Sequence, residues 1–326
     1  MLELISTGGT IACKETGNGL MPALSATELL NIADISPETR KTTFARDLFF
    51  MDSSNIQPEE WEKIADAIWA SEADGIVLTH GTDTMAYTAS MLSYLLLDAN
   101  KPIVITGSQK PILYPDSDGR ANLSAAFSAV KALAPGVYIC FGGLIMLGVR
   151  AVKTRTISFA AFESINFPYI GTMLNGEFMP FNVARCLKRT GFEKTPIDSN
   201  IALIKLIPGL PTAVIDGILL SNLSGLVVEG FGLGGMHNVR RDHINSIHKL
   251  IAAGIPVVMK SQCLYEASSV SVYEVSRALY DMGVITVNDM TTEATVTKFM
   301  WALGKTHNIE RLRDIMNTNF CDDINV

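Results

Sequence analysis

Cysteine is scarce in this sequence, and the few cysteines present are scattered. The chain has five, at Cys13, Cys140, Cys186, Cys263 and Cys321, and no two of them form a CxxC pair. An odd and dispersed set of this kind argues against a disulfide framework and against a structural zinc site. We therefore expect the protein to work in a reducing compartment.

Long hydrophobic runs and surplus positive charge are also missing. No stretch reaches the roughly 18 apolar residues of a membrane-spanning helix. The N-terminus, MLELISTGGT, lacks the charged start and the apolar run of a signal peptide, so a cytoplasmic location is expected. The formal net charge is −7 and no basic stripe is visible, so neither nucleic acid nor a membrane is an expected partner.

What the sequence does contain is enough apolar material for a large core. Of its 326 residues, 48% are hydrophobic and 18% are charged, and this length favours two domains. Strand-like runs alternate with helical patterns, as is typical of an α/β fold. The composition changes at 186–200, where we place a linker. We predict a larger N-terminal α/β domain at 1–185 with a mainly parallel sheet, and a smaller flavodoxin-like or Rossmann-like α/β domain at 201–326.

Apolar runs and helix-start signals predict the individual elements. Pro58, Glu59 and Glu60 indicate the start of a helix. One face of that helix is predicted to be apolar and to contain Trp61, Ile64, Ala65, Ile68 and Trp69. The predicted strands are Leu2–Ser6, Gly75–Thr79, Pro102–Thr106, the hairpin Val137–Phe141 with Leu144–Leu147, and then Ile201–Leu206, Gly225–Phe231, Pro256–Lys260 and Val284–Val287.

Three polar, glycine-containing segments follow predicted strands of the N-terminal domain. They are Thr7–Thr10, His80–Thr84 and Gly107–Gln109. In open α/β sheets, ligands bind beyond the carboxyl ends of the strands. We therefore expect these segments to form a site together.

Each chemical group in those segments also has an ordinary structural interpretation. Thr10 is either a nucleophile, a binding hydroxyl or a capping residue of a plain turn. Asp83 either caps the next helix or binds an ammonium group. His80 is interpreted as structural, because no GxSxG motif accompanies it to indicate a catalytic triad. Lys153 is either a surface lysine or, if partly buried, a base that activates a hydroxyl.

Signals for a cofactor or a metal ion are weak. The segment Gly230–Gly235 satisfies GxGxxG, but Lys260 stands near the position where a dinucleotide site needs an acidic residue. We interpret these glycines as turn geometry and helix packing. His243 and His248 are five positions apart on a predicted helix and do not share a face, so no metal site is predicted.

Several motifs occur along the whole chain in a distinctive order: STGGTIA near the N-terminus, MDSSNIQPEEW, LTHGTDTMAYTAS, KPIVITGSQ, RAVKTRT, SQCL and TTEATVTKFMWALG. In order and spacing they resemble the bacterial asparaginase/glutaminase family. The MDSS and TMAYTAS motifs and the missing leader resemble its type I, cytoplasmic branch.

The resemblance implies an L-asparaginase that converts L-asparagine and water to L-aspartate and ammonia through an acyl-enzyme, without a cofactor. It implies Thr10 as the first catalytic threonine and Thr82 as the second, with Asp83 and Lys153 beside it. The substrate-binding residues that it implies are Asp52, Ser53, Ser54, Thr82 and Asp83. Family members are dimers or tetramers, so a homodimer or a homotetramer is expected.

The sequence departs from the family pattern in the loop after the first threonine. Many family members have a catalytic tyrosine there, whereas Cys13–Pro22 contains none, and Leu20 and Met21 occupy the matching positions. The group that activates Thr10 is therefore left open between water, a tyrosine from elsewhere and the second triad.

An allosteric asparagine site, which some type I members have, is not predicted either. Glu229 stands at the position of its arginine and Val152 at the position of its threonine, although Cys263 matches.

Two other functions compete with the asparaginase interpretation. The related subunit of a tRNA-dependent amidotransferase has an extra domain before its GGT motif, and here the motif begins at Thr7, so this function is not expected. A binding protein that has lost turnover is argued against by the retained Thr10, Thr82, Asp83 and Lys153.

Overall fold

A computed structural model describes residues 1–17, 19–182, 196–268 and 274–325. The chain divides into two compact units. Unit 1 is Met1–Phe192 with Phe320–Asp322, and unit 2 is Glu193–Asn319 with Asp323–Val326. Most of the predicted linker, namely 186–195, lies outside the described residues, so the linker and the domain limits remain predictions.

Unit 1 alternates strands and helices, as the sequence predicts. Its strands are β1 Leu2–Gly8, β2 Cys13–Thr16, β3 Gly19–Pro22, β4 Thr43–Met51, β5 Gly75–Thr79, β6 Pro102–Thr106, β7 Gly136–Phe141, β8 Leu144–Leu147, β9 Ala151–Lys153, β10 Phe162–Ser164, β11 Gly171–Leu174 and β12 Glu177–Pro180. Its helices are α1 Ala26–Ile32, α2 Pro37–Lys41, α3 Pro58–Trp69, α4 Met85–Leu95 and α5 Gly119–Ala129.

The main sheet of unit 1 has the order β12-β11-β8-β7-β6-β5-β1-β4. Strands β7, β6, β5, β1 and β4 are parallel, whereas β8, β11 and β12 continue the sheet with antiparallel pairing. Strands β1, β5 and β6 are buried along their whole length. Continuous burial is expected where helices cover both faces of a parallel sheet, and it explains why β5 and β6 are nearly uninterrupted apolar runs.

The core of unit 1 lies on both faces of this sheet. Ile5, Leu78 and Ile105 belong to one apolar cluster with the buried residues of α3 and α4. Side chains alternate along a strand, so the neighbouring Leu4 and Val77, which are also fully buried, face the opposite side. Helices α1 and α5 contact the parallel strands as well.

Helix α3 begins at Pro58, as predicted. A capping box formed by Gln57 and Glu60 satisfies its first N–H groups, and Pro58 needs no such partner. Trp61, Ile64, Ala65 and Ile68 are buried, in agreement with the predicted apolar face. Trp69 is 49% exposed, so its place on that face is wrong; it is the last residue of the helix, where the chain leaves the core.

The strands at the two edges of the sheet were not predicted. Strand β4 alternates between exposed and half-buried residues because it has a neighbour on only one side. The hairpin of β11 and β12 is mostly exposed at the other edge. An apolar run is the sequence pattern that indicates a strand. Edge strands bury too little side-chain surface to require such a run, so the sequence does not reveal them.

Unit 2 contains a second, smaller parallel sheet. Its strands are β13 Ile201–Lys205, β14 Gly225–Gly230, β15 Val257–Ser261 and β16 Ile285–Thr286, and they pair in this order. Its helices are α6 Thr212–Asp216, α7 His243–Ala252, α8 Glu274–Asp281, α9 Thr292–Leu303 and α10 Ile309–Asn317. The prediction of a larger and a smaller α/β domain is thus confirmed. Among the described helices of both units, none has the length and apolarity to cross a bilayer.

The strand order of unit 1 reverses at β1. The chain continues from β1 to β4 on one side, and then returns to β5 on the other side before moving on to β6. Loops that leave neighbouring strands in opposite directions open a crevice at the carboxyl edge of the sheet. This crevice lies between the ends of β1 and β5.

Candidate active site

Two glycine turns meet at this crevice. Gly9, after β1, has a φ of 73°, and a Cβ atom placed on it would lie 2.3 Å from the backbone nitrogen of Gly81, after β5. Only glycine tolerates both this backbone conformation and this close approach. The next residue, Thr10, begins a short 3-10 helix at Thr10–Ala12. The close packing therefore brings the segments of Thr10 and Thr82 together.

The turns after β4 and β6 join the same assembly. A Cβ atom on Gly81 would lie 2.5 Å from Ser53 Oγ, and one on Gly107 would lie 2.3 Å from the carbonyl oxygen of His80. The three polar segments singled out in the sequence therefore lie side by side, and the Asp52–Ser54 segment joins them.

Lys153 connects the acidic and hydroxyl groups of the HGTDT segment. Its Nζ donates to Thr82 Oγ1 at 2.9 Å and to Asp83 Oδ1 at 2.6 Å. The lysine side chain is 17% exposed, whereas that of Asp83 is 60% exposed. Lysine, threonine and carboxylate thus form one connected polar set with an accessible carboxylate at its outer end.

The serines after β4 orient Asp83 from the other side. Ser53 Oγ accepts the backbone N–H of Asp83 at 3.2 Å, and Ser54 Oγ donates to Asp83 Oδ2 at 3.4 Å. Asp52 is exposed, and its Oδ1 accepts the backbone N–H of Ser54 at 2.8 Å. In this structure Asp52 therefore caps the 3-10 helix Ser53–Asn55, and Ser54 is the residue of this segment that contacts the accessible carboxylate.

His80 has a structural role, as the sequence analysis expects. His80 Nδ1 donates to the carbonyl oxygen of Gly81 at 2.7 Å, because a carbonyl oxygen can only accept. Nε2 of the neutral ring is then an acceptor, so the Thr88 hydroxyl donates to it at 2.9 Å, and Thr88 Oγ1 itself accepts from Trp61 Nε1 at 2.9 Å. Complete burial lowers the pKa of His80 to about 4 and keeps the ring neutral. The histidine holds the Gly81 turn and is not part of a triad.

The loop after Thr10 forms the hairpin of β2 and β3. Leu20 and Met21, at the positions where a tyrosine is missing, are 51% and 55% exposed. No pattern in the sequence indicates the contact that this hairpin makes with another loop. The hydroxyl of Tyr114 donates to the Glu15 carboxylate of β2, and this hydrogen bond raises the pKa of Tyr114.

A second polar cluster lies at the carboxyl edge of the sheet in unit 2. Glu229 accepts a hydrogen bond from Thr292 Oγ1 at 2.5 Å, and its carboxylate lies within 3.8 Å of Lys205 and Lys260. Burial lowers the pKa of Lys260 and raises the pKa of Glu293 to about 7. The Glu229 carboxylate is therefore already held by Thr292 and lies close to two lysines.

The GxGxxG segment forms a closed turn next to this cluster. The backbone N–H of Phe231 donates to the carbonyl oxygen of Gly235 at 2.8 Å, and Gly232 and Gly234 have positive φ angles. Helix α7 begins only at His243, so the interpretation as turn geometry is confirmed, while the predicted packing against a helix is wrong. Gly230 and Gly235 lie against other residues of their own turn because the chain doubles back immediately.

The predicted orientation of the two histidines on α7 is confirmed. His243 is buried and His248 is exposed, because positions five apart on a helix lie on different faces.

Two family models match the chain. The one described as Asparaginase, N-terminal covers residues 1–183, and the one described as Glutaminase/Asparaginase C-terminal domain covers residues 200–316. The chain is 39% identical to an L-asparaginase of Thermococcus kodakarensis, over 99% of this chain and 98% of that protein. It is 37% identical to a subunit of the glutamyl-tRNA(Gln) amidotransferase of Methanosphaera stadtmanae, over 98% of this chain and 75% of that protein.

The chain is also similar to solved structures over its whole length. The thermostable L-asparaginase from Thermococcus kodakarensis superposes with a TM-score of 0.92, covering 100% of this chain and 99% of that one. L-asparaginase I from Vibrio cholerae is 30% identical and superposes with a TM-score of 0.85, with the same coverage.

Proposed function

The chain belongs to the asparaginase family, and from this membership and the geometry of the site we propose that it is an L-asparaginase. It converts L-asparagine and water to L-aspartate and ammonia. The observation that carries the proposal is the contact of one lysine ammonium group with a hydroxyl and a carboxylate. Lys153 Nζ bonds both Thr82 Oγ1 and Asp83 Oδ1 at the crevice that also contains Thr10.

The α-groups of the substrate bind on the Asp83 side of the crevice. The accessible carboxylate of Asp83 is suited to the α-ammonium group, and Ser53, Ser54 and the Thr82 segment position the remaining polar atoms. Asp52 contributes by fixing the serine turn.

Hydrolysis proceeds in two steps through a covalent intermediate. The Thr10 hydroxyl oxygen attacks the side-chain carboxamide carbon, the C–N bond breaks, and the nitrogen leaves as ammonia after gaining a proton. Backbone N–H groups of the glycine turns stabilise the negative oxygen that develops. A water molecule then attacks the ester, which releases aspartate and returns the proton to Thr10.

Thr82, Lys153 and Asp83 move the protons that these steps require. In the resting site Lys153 Nζ donates to both neighbours. An α-ammonium group bound at Asp83 adds a like charge nearby, which favours transfer of a proton from Lys153 to water and leaves an amine that is able to accept a proton. Substrate binding thus prepares the lysine to accept the Thr82 proton.

Replacement of Thr82 by alanine tests this function. Ammonia release from asparagine is measured for the unmodified chain, for Thr82→Ala, and for Thr42→Ala as a matched control. Thr42 is exposed at the amino end of β4, whereas the site lies beyond the carboxyl ends of the strands. We expect ammonia release from the unmodified chain and the control, and a loss of roughly 100- to 10,000-fold for Thr82→Ala. No ammonia from the unmodified chain would refute the proposal.

A second candidate function is a subunit of a tRNA-dependent amidotransferase. It is supported by the 37% identity to such a subunit over 98% of this chain. Turnover of free asparagine by the isolated chain favours the asparaginase. A requirement for a partner protein and glutamyl-tRNA favours the amidotransferase.

The cytoplasmic location and the homodimer or homotetramer remain predictions. Sedimentation at nanomolar concentration tests the assembly, and an active monomer there would contradict it.

A further inference from the structure

Gln109 is a second neighbour of the Thr82 hydroxyl, besides Lys153. It lies just beyond β6, and its Oε1 is 3.5 Å from Thr82 Oγ1. Its Nε2 donates to the carbonyl oxygens of Thr156 at 3.2 Å and Ser158 at 3.1 Å. A reversed amide would direct its oxygen at these two carbonyl oxygens, which is unfavourable. The contacts therefore fix which end of the amide faces Thr82.

The backbone of Gln109 is held as firmly as its side chain. Its N–H donates to the buried carboxylate of Asp118, at 3.0 Å from each oxygen. Asn122 Nδ2 donates to Asp118 at 3.1 Å and to the carbonyl oxygen of Gly107 at 3.0 Å. This buried network prevents the turn after β6 from moving away from the crevice.

The two neighbours of Thr82 together determine where its hydroxyl proton lies. Lys153 donates to the Thr82 oxygen, so the single proton of the hydroxyl must point elsewhere, and the amide oxygen of Gln109 is an acceptor in that direction. A separation of 3.5 Å corresponds to a weak bond, which orients a hydroxyl without holding it strongly.

We infer that Gln109 is a positioning residue, an inference that rests on the proposed hydrolysis. Before substrate binds, its amide oxygen directs the Thr82 proton away from Lys153. The oxygen lone pair of Thr82 then faces the ammonium group. Because the bond to Gln109 is weak, the proton is free to turn toward Lys153 once the lysine has passed a proton to water. A stronger acceptor at this position would trap the proton.

Two substitutions at position 109 separate this role from a merely structural one. Gln109→Met keeps the length of the side chain and removes the acceptor. Gln109→Glu places a carboxylate near Thr82, which binds the hydroxyl proton more strongly and favours the charged form of Lys153. Gln262→Met is the matched control, because Gln262 Nε2 also donates to two carbonyl oxygens, those of Leu206 and Glu229 in unit 2.

The expected results differ among the three variants. In Gln109→Met the Thr82 hydroxyl loses the acceptor that keeps its lone pair facing Lys153, so we expect kcat to fall about tenfold or more while KM changes by less than about threefold. For Gln109→Glu we expect the acidic limb of the kcat/KM profile to move up by roughly one pH unit. Gln262→Met should retain both kcat and the pH profile. Unchanged kcat in Gln109→Met, an unmoved limb in Gln109→Glu, or an equal loss of kcat in the control would overturn the inference.

A measurement without turnover keeps this inference distinguishable from the proposed function. Acetic anhydride acylates only uncharged amines, and peptide mass spectrometry reads its reaction with Lys153. We expect slower labelling in Gln109→Glu than in the unmodified chain, and equal rates would contradict the role of Gln109. If the unmodified chain releases no ammonia from asparagine, the proposed function fails, while the labelling result still decides about Gln109.

Discussion

The parallel sheets of the two units differ in the order of their strands. In unit 1 the order reverses at β1, so the loops after β1 and β5 leave the sheet in opposite directions. In the described part of unit 2, β13 to β16 lie in chain order, and no such reversal occurs. A reversal opens a crevice at the carboxyl edge, whereas a regular order leaves each loop packed against the next.

The polar groups at the two edges differ accordingly. The Asp83 side chain in unit 1 is 60% exposed and is able to bind a ligand. The Glu229 side chain in unit 2 is 10% exposed, and Thr292 and two lysines already lie close to its carboxylate. Charges at the end of a parallel sheet therefore do not by themselves indicate a reacting site. Accessibility and the course of the chain decide whether such charges act on a ligand or stabilise the fold.

The largest effect is expected from removing the lysine of unit 1. Lys153→Met and Lys153→Arg should each lower kcat by roughly 100- to 10,000-fold, because neither side chain accepts a proton from Thr82 at neutral pH. Single-turnover kinetics measure the acylation step, and circular dichroism checks the fold. An arginine variant that folds and acylates at a near-normal rate would show that Lys153 only balances charge.

The matched change in unit 2 should affect stability and not turnover. Lys298 and Asp323 are both fully buried and form an ion pair of 2.7 Å. Lys298→Met leaves the carboxylate buried without this partner, so the free energy of unfolding should fall by about 3–5 kcal/mol. Urea unfolding measures this loss, and kcat per folded molecule should stay unchanged. The double variant Lys298→Met/Asp323→Leu should recover most of the stability; a loss below about 1 kcal/mol in the single variant would contradict the structural role.

The enclosed cluster of unit 2 should make stability depend on pH. The pKa of Glu293 is about 7 in the folded chain, above the ordinary value of 4.5. With respect to this group, the free energy of unfolding is therefore highest below pH 4.5, and it falls as the pH rises to about 7. The difference between the two pKa values corresponds to a loss of at most about 3 kcal/mol.

Glu293→Gln cannot titrate and is the control for this effect. Thermal unfolding of both forms at several pH values should show the unmodified chain losing stability relative to the variant between pH 4.5 and about 7. A constant difference across that range would mean that Glu293 titrates normally in the fold.

The smallest effect concerns how closely the crevice of unit 1 fits its ligand. Glutamine is one methylene longer than asparagine, so a site that fixes both α-groups displaces the glutamine amide from Thr10. A displacement of about 1 Å costs on the order of 100-fold in rate. We expect kcat/KM to favour asparagine by about this factor. Equal values for the two amides would show that the crevice does not fix the α-groups.

Local patterns in the sequence were enough to locate the central strands and the candidate site. The predicted limits of β5 and β6 match the structure at both ends, because a strand covered on both faces must be apolar throughout. The glycines after β1 and β5 were recognisable because close backbone approach excludes any other residue. Such constraints act over a few neighbouring positions, so they leave a trace in the order of the residues.

Which side chains meet became clear only from the folded chain. Lys153 contacts Thr82 across 71 positions and Tyr114 contacts Glu15 across 99, and no local pattern carries such pairings. The acceptor role of Gln109 depends on two carbonyl groups in another loop. Edge strands such as β4 were likewise invisible, since partial burial leaves their residue types nearly unconstrained. One cause underlies all three cases: contacts between distant segments depend on how the chain returns to the sheet, and many sequences satisfy them equally well.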